Sequence, residues 1–141
     1  MFVREILQIK GSRVFTIPSS ANLSDVVTEL TAHNCGSLVV CDGDQMIGII
    51  TERDILRACA GLHDSLKDIP LRPLMSRDVI TASPMDKVGD VMGIMTEHRV
   101  RHLPVLEAGE LAGLISIGDV VKAQHAELTT ENQLLKEYIQ S

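Results

Sequence analysis

"GIITERD", Gly48 to Asp54, returns as "GLISIGD", Gly113 to Asp119, 65 residues further along the chain. Both copies keep a glycine, then a hydroxyl residue (Thr51 or Ser116), then an aspartate three positions on (Asp54 or Asp119). The repetition is wider than the motif. A shift of 65 aligns residues 16–58 with 81–123 without a gap. Thr16 meets Thr81, Asp25-Val26 meets Asp90-Val91, and His33 meets His98. Leu38 and Val40 meet Leu103 and Val105, and Ala58 meets Ala123. Most other positions exchange one aliphatic residue for another. A period this long exceeds the usual solenoid repeats and describes a small unit duplicated.

Each copy predicts the order strand, helix, strand, strand, helix. "VFTI" (14–17) and "VITA" (79–82) are short extended pieces. Helices are expected over 22–34 and 87–99, where Leu23, Val26, Val27 and Leu30, and Val88, Val91, Met92 and Met95, recur at helical spacing. "SLVVC" and "MIGII" flank Asp42-Gly43-Asp44, and "HLPVL" and "LAGLI" flank Ala108-Gly109, so each pair reads as a hairpin. A second helix opens after Thr51 and after Ser116. Residues 61–73, "GLHDSLKDIPLRP", carry the turn-formers and prolines of a linker. From Asp119 to about Tyr138 there is no Pro or Gly, so the last helix runs past its counterpart, with Val121, Leu128 and Leu135 seven apart.

Composition bounds the function. A chain of 141 residues suits one compact domain or two small units. With Phe2, Phe15 and Tyr138 its only aromatics, the core must be aliphatic, and a planar ligand would lie between aliphatic side chains. A net charge of -6 lacks the basic footprint of a nucleic-acid binder. No apolar run approaches the roughly 20 residues of a membrane span, and charges at Arg4, Glu5 and Lys10 interrupt any signal-peptide core. The odd set Cys35, Cys41 and Cys59, without C-x-x-C, suggests neither a disulfide framework nor zinc. These features are expected of a soluble protein of a reducing cytoplasm.

The repeated motif has two readings. Ser or Thr followed three positions on by a carboxylate resembles a capping box, although Glu or Gln is the usual partner. Alternatively, the helix N-terminus attracts phosphate, the hydroxyl adds a hydrogen bond, and a short carboxylate one turn in accepts both hydroxyls of a ribose. The strand glycine would let another segment or a ligand pass close.

These residues resemble a tandem pair of CBS domains, named after cystathionine beta-synthase. The resemblance spans residues 3 to about 125 and rests on "GIITERD", "GLISIGD", "PLMSRDVITASP" and "HRVRHLPV". It implies an α+β fold of two β-α-β-β-α units around a pseudo-twofold axis, here with an extended C-terminal helix. The implied division is a first repeat over 1–60, a linker over 61–73 and a second repeat with its helix over 74–141. It also implies an adenine nucleotide (AMP, ADP or ATP) as regulatory ligand in clefts between the repeats, with S-adenosylmethionine or NAD(H) as alternatives. Ribose would fall to Asp54 with Thr51 and to Asp119 with Ser116, and the base to the extended pieces near Thr16 and near Val79 and Thr81. Arg99, Arg101, His102 and Pro104 complete the second site; Ser37 and Arg53 contribute to the first. A homodimer and an unidentified protein effector are the implied partners.

The copies differ where "HRVRHLPV" replaces "HNCGSLVV". Arg99, Arg101 and His102 could clasp a phosphate; the plainer reading is a solvated cluster balanced by Glu97 and Glu107. Arg53 is matched by Gly118 and is open to both readings. Cys35 reads as a small buried hydrophobe, and His33 and His98 as helix-end cations. His63 and His125 lack ligand-spaced partners, and the methionines read as core filler. Without a Ser/His/Asp arrangement, metal spacing or glycine-rich phosphate loop, the expectation is a binding module and not an enzyme, with no obligatory cofactor. A ligand-free dimeric interaction protein, its motifs serving only as caps, is the other expectation.

Overall fold

A computed structural model describes residues 1–61 and 64–140. The elements run α1 (Val3–Lys10), β1 (Thr16–Ile17), α2 (Leu23–His33), β2 (Ser37–Asp42), β3 (Gln45–Thr51), α3 (Glu52–Cys59), a 3-10 turn (Leu66–Asp68), α4 (Val88–His98), β4 (His102–Glu107), β5 (Glu110–Ser116) and α5 (Ile117–Gln140). From α2 to β3 every boundary is repeated 65 residues later in α4 to β5.

The register repeats as well. β2 and β3 pair antiparallel from Ser37 opposite Thr51 to Asp42 opposite Gln45, with a bulge between Val40 and Cys41. β4 and β5 pair from His102 opposite Ser116 to Glu107 opposite Glu110, with the bulge between Val105 and Leu106. α2 and α4 both end on a left-handed residue, Asn34 (φ 49°) and Arg99 (φ 55°). Asn tolerates that conformation, whereas at Arg99 it costs roughly 1–2 kcal/mol.

Symmetry fails at the first strand. β1 pairs parallel with β2, Thr16 opposite Val39 and Ile17 opposite Val40, and the Val39 amide donates to the Phe15 carbonyl. Its expected counterpart over 79–82 is reduced to a single bridge, Ala82 to Val105. Pro104 stands where β2 has Val39. It has no N–H to give the Ile80 carbonyl, so the ladder loses that rung.

Residues 14–79 form one unit; residues 1–13 and 80–141 form the other. These contact units are not the same as the sequence repeats. By packing, residues 1–13 lie in the unit of the second copy and residues 74–79 in the unit of the first. The physical reason is an exchange of the segments that precede each copy. In the second unit the Val3 amide donates to the Asp86 carbonyl and the Val88 amide to the Met1 carbonyl. In the first unit the Leu71 amide donates to Ala21 and the Leu23 amide to Ile69. Leu71 thus plays the part of Val3 at an offset of 68 (71 minus 3), and both side chains are fully buried. Most of the stretch read as a linker is therefore structural; Leu62 and His63 lie outside the described residues.

The repeated glycines allow this packing. A Cβ on Gly48 would stand 2.6 Å from the Ser76 carbonyl oxygen, where Ile49 and Ser76 exchange backbone hydrogen bonds. A Cβ on Gly113 would stand 2.6 Å from Leu7 Cδ2 of α1. Each unit closes over an aliphatic core. The first includes Leu23, Val26, Leu38, Ile50 and Leu71; the second includes Val3, Val88, Met95, Leu103 and Ile115. α5 runs 24 residues and buries only Val120, leaving Leu128, Leu135 and Tyr138 exposed.

Candidate functional site

Both copies of the motif fold as helix caps at the open end of a hairpin. Thr51 closes β3 opposite Ser37 and caps α3. Its amide donates to Asp54 Oδ2 at 2.9 Å and its hydroxyl to the same oxygen at 3.2 Å, while the Asp54 amide donates to Thr51 Oγ1 at 3.4 Å. Ser116 closes β5 opposite His102. Its amide donates to Asp119 Oδ2 at 2.9 Å, and the Asp119 amide donates to Ser116 Oγ at 3.2 Å. The first amide of each helix is also engaged: Glu52 donates to the Gly36 carbonyl at 3.0 Å and Ile117 to the Arg101 carbonyl at 2.8 Å. The phosphate reading assumed unpaired amides here, and two of them in each copy are bonded within the protein.

The carboxylates differ in their surroundings. Lys10, the last residue of α1, donates from Nζ to Asp119 Oδ2 at 2.6 Å and to the Leu114 carbonyl at 3.0 Å. Partial burial pushes the Asp119 carboxyl up, but the Lys10 hydrogen bond and charge and the Ser116 donors outweigh it and hold it below its ordinary value. Among the described residues, Asp54 is held by Thr51 and has no such cation. No local signal marks Lys10, because the contact joins residues 109 apart in the chain.

The other expected residues fall in both units. Thr16 is exposed at the start of β1 and Ser37 is buried, 3% exposed, at the start of β2. Ser37 pairs with Thr51 at the hairpin end opposite the Asp42–Gln45 turn, whereas Thr16 lies beside Val39, two residues further along β2. Arg53 is exposed on α3. Val79 is half-buried in the first unit; Thr81, also half-buried, belongs to the second. Arg99 and Arg101 are exposed around the start of β4, His102 is half-buried and Pro104 buried. Neither arginine is ion-paired with Glu97 or Glu107 among the described residues. A depression of about 430 Å³ in the first unit is lined by Thr16, Ile17, Pro18, Ser20, Ala21, Asp25 and Glu29, and takes in only Thr16 of the expected set.

Several other side chains have structural partners. His33 pairs with Glu29 at 3.1 Å and stacks on Phe15 with ring centroids 3.7 Å apart. Cys35 is half-buried and donates from Sγ to the Ser37 carbonyl. Burial, with Asp42 beside it, pushes the Cys41 thiol up. No three His, Cys, Asp or Glu side chains among the described residues could hold a metal ion, and no helix is long and apolar enough to cross a membrane.

A hairpin flanked by helices, built twice with a hydroxyl–aspartate cap at the same point, defines a duplicated α+β module. The chain belongs to the CBS domain family, which it matches over residues 3–61 and again over 66–126. It is 42% identical over 121 residues to the mitochondrial CBS domain-containing protein CBSX3 of Arabidopsis thaliana, covering 82% of this chain but only 59% of that protein. The crystal structure of the CBS-domain containing protein ATU1752 from Agrobacterium tumefaciens is similar at a TM-score of 0.84 and 38% identity, over 88% of this chain and 99% of that one. CBS domain protein PAE2072 from Pyrobaculum aerophilum, solved in complex with AMP, is similar at a TM-score of 0.78 and 31% identity, over 92% of this chain and 99% of that one.

Proposed function

We propose that this chain is a regulatory module that binds an adenine nucleotide through its two hydroxyl–aspartate caps and passes the bound state to a protein effector. The observation that carries the reading is the duplication of the cap at one register position, Thr51–Asp54 and Ser116–Asp119. A cap alone does not require the same short carboxylate in both copies. The AMP complex of the relative from Pyrobaculum aerophilum supports the ligand class. On this reading each aspartate accepts from ribose hydroxyls, the base lies on the aliphatic extended segments near Thr16 and Thr81, and Arg99, Arg101 and His102 face the phosphate at the second site. Ligand binding without turnover, and a homodimer, belong to the same proposal.

A thermal-shift screen of AMP, ADP, ATP, adenosine, S-adenosylmethionine and NAD(H) tests it. A ligand at 100 times its dissociation constant stabilises the fold by about 2.7 kcal/mol. The Asp54→Ala, Asp119→Ala double variant should stay folded, because lost caps cost about 1 kcal/mol each. It should nevertheless lose AMP binding, since hydrogen bonds to a charged group contribute roughly 1.5–3 kcal/mol. Undiminished AMP binding by that variant in calorimetry would reduce both motifs to caps.

A further inference from the structure

The two aspartates are equivalent in sequence and unequal in structure. Asp54 Oδ2 accepts from an amide and from the Thr51 hydroxyl at 3.2 Å. That hydroxyl is neutral and its hydrogen rotates freely, so an incoming donor displaces it at little cost. Asp119 Oδ2 accepts from an amide and from the Lys10 ammonium at 2.6 Å. The ammonium is charged, bonded a second time to the Leu114 carbonyl at 3.0 Å, and carried on a helix whose Leu7 seats against Gly113. Among the described residues, the exchanged segment of the first unit places no ammonium or guanidinium on Asp54. At the offset that equates Leu71 with Val3, the residue matching Lys10 is Asp78, of the wrong sign to pair with Asp54.

We infer that Lys10 is a built-in competitor for Asp119: a vicinal diol that takes both oxygens of the carboxylate meets a rotatable hydroxyl on Oδ2 of Asp54 but the ammonium of α1 on Oδ2 of Asp119. The inference rests on the proposal that these aspartates take ribose. The two sites then fill in order, Asp54 first, and occupation of the second frees the end of α1 from β5 and α5.

Calorimetry with adenosine tests this, because adenosine is uncharged and its own binding has little reason to respond to salt. Asp119→Ala reports the Asp54 site and Asp54→Ala the Asp119 site. Adenosine should bind Asp119→Ala more tightly than Asp54→Ala. Adding Lys10→Met, which keeps the aliphatic stem, should raise affinity roughly two- to fivefold in the Asp54→Ala background, as expected for a half-exposed ion pair. It should change nothing in the Asp119→Ala background. With Lys10 present, affinity at the Asp119 site should rise as NaCl goes from about 0.05 to 0.5 M. Lys10→Met should flatten that response and Lys10→Arg should keep it. A loss of affinity on Lys10→Met, or no change together with a flat salt response, overturns the inference and leaves the ribose reading in place. Adenosine binding to neither background, whatever stands at position 10, overturns the ribose reading and the competitor with it.

Discussion

Asp119 combines three roles in one carboxylate: it caps α5, pairs with Lys10 and stands at the proposed ribose position. Its folded-state value lies below the ordinary 3.8. A carboxyl held low stabilises the fold at pH above its unfolded value, and the contribution is lost as pH falls through the lowered folded value. Asp119→Asn keeps an acceptor for the cap and removes the charge. The stability of the wild-type protein should therefore fall more steeply than that of Asp119→Asn as pH drops from about 5 towards 2. Urea midpoints across that range check this, and parallel profiles would refute it. The sequence made Asp119 a candidate because the motif is local and repeated. It gave no sign of Lys10, whose tie to Asp119 exists only after α1 has packed with residues 80–141 into one unit.

At the scale of elements, α2 and α4 and both hairpins were legible because their signals lie within a few residues: apolar spacing for the helices, Asp42-Gly43-Asp44 and Ala108-Gly109 for the turns. α1 was not, since eight residues around Arg4, Glu5 and Lys10 form a helix chiefly by burying Val3 and Ile6 against other elements. The exchange of opening segments was hidden for a related reason. It runs at an offset of 68, and the repeat that aligns everything else runs at 65. The glycines make the exchange testable. Gly48→Ala drives a methyl into the Ser76 carbonyl, part of a residue whose amide and carbonyl both exchange hydrogen bonds with Ile49. It should destabilise by roughly 1–3 kcal/mol. Gly113→Ala meets the tip of Leu7, which can rotate away, and should cost less. Adding Leu7→Ala should recover part of the loss at Gly113 and none at Gly48. Denaturant unfolding of the four variants reads the order, and equal costs at the two glycines would contradict the packing described.

Across the whole molecule the duplication is exact in register and broken in charge. The chain carries a net charge of -6, yet the start of β4 exposes Arg99 and Arg101 where the first copy has Asn34 and Gly36. The proposed second site should therefore distinguish AMP from adenosine more sharply than the first. In the Asp54→Ala background, Arg101→Ala should lower AMP affinity, leave adenosine nearly unchanged, and reduce the salt sensitivity of AMP binding. Calorimetry with both ligands decides it; equal losses would mean that Arg101 shapes the site and does not hold phosphate.

The exchanged segments also set a timetable. Residues 14–79 are continuous and can close their core as soon as they leave the ribosome, but α1 is made before them and belongs to the unit completed by residues 80–141. At about 5–20 residues per second, Val3 and Ile6 stay uncovered for roughly 5–20 s of synthesis. α1 is thus made before residues 14–79 and docks after them, and while it waits its apolar face is open to other nascent chains and to chaperones.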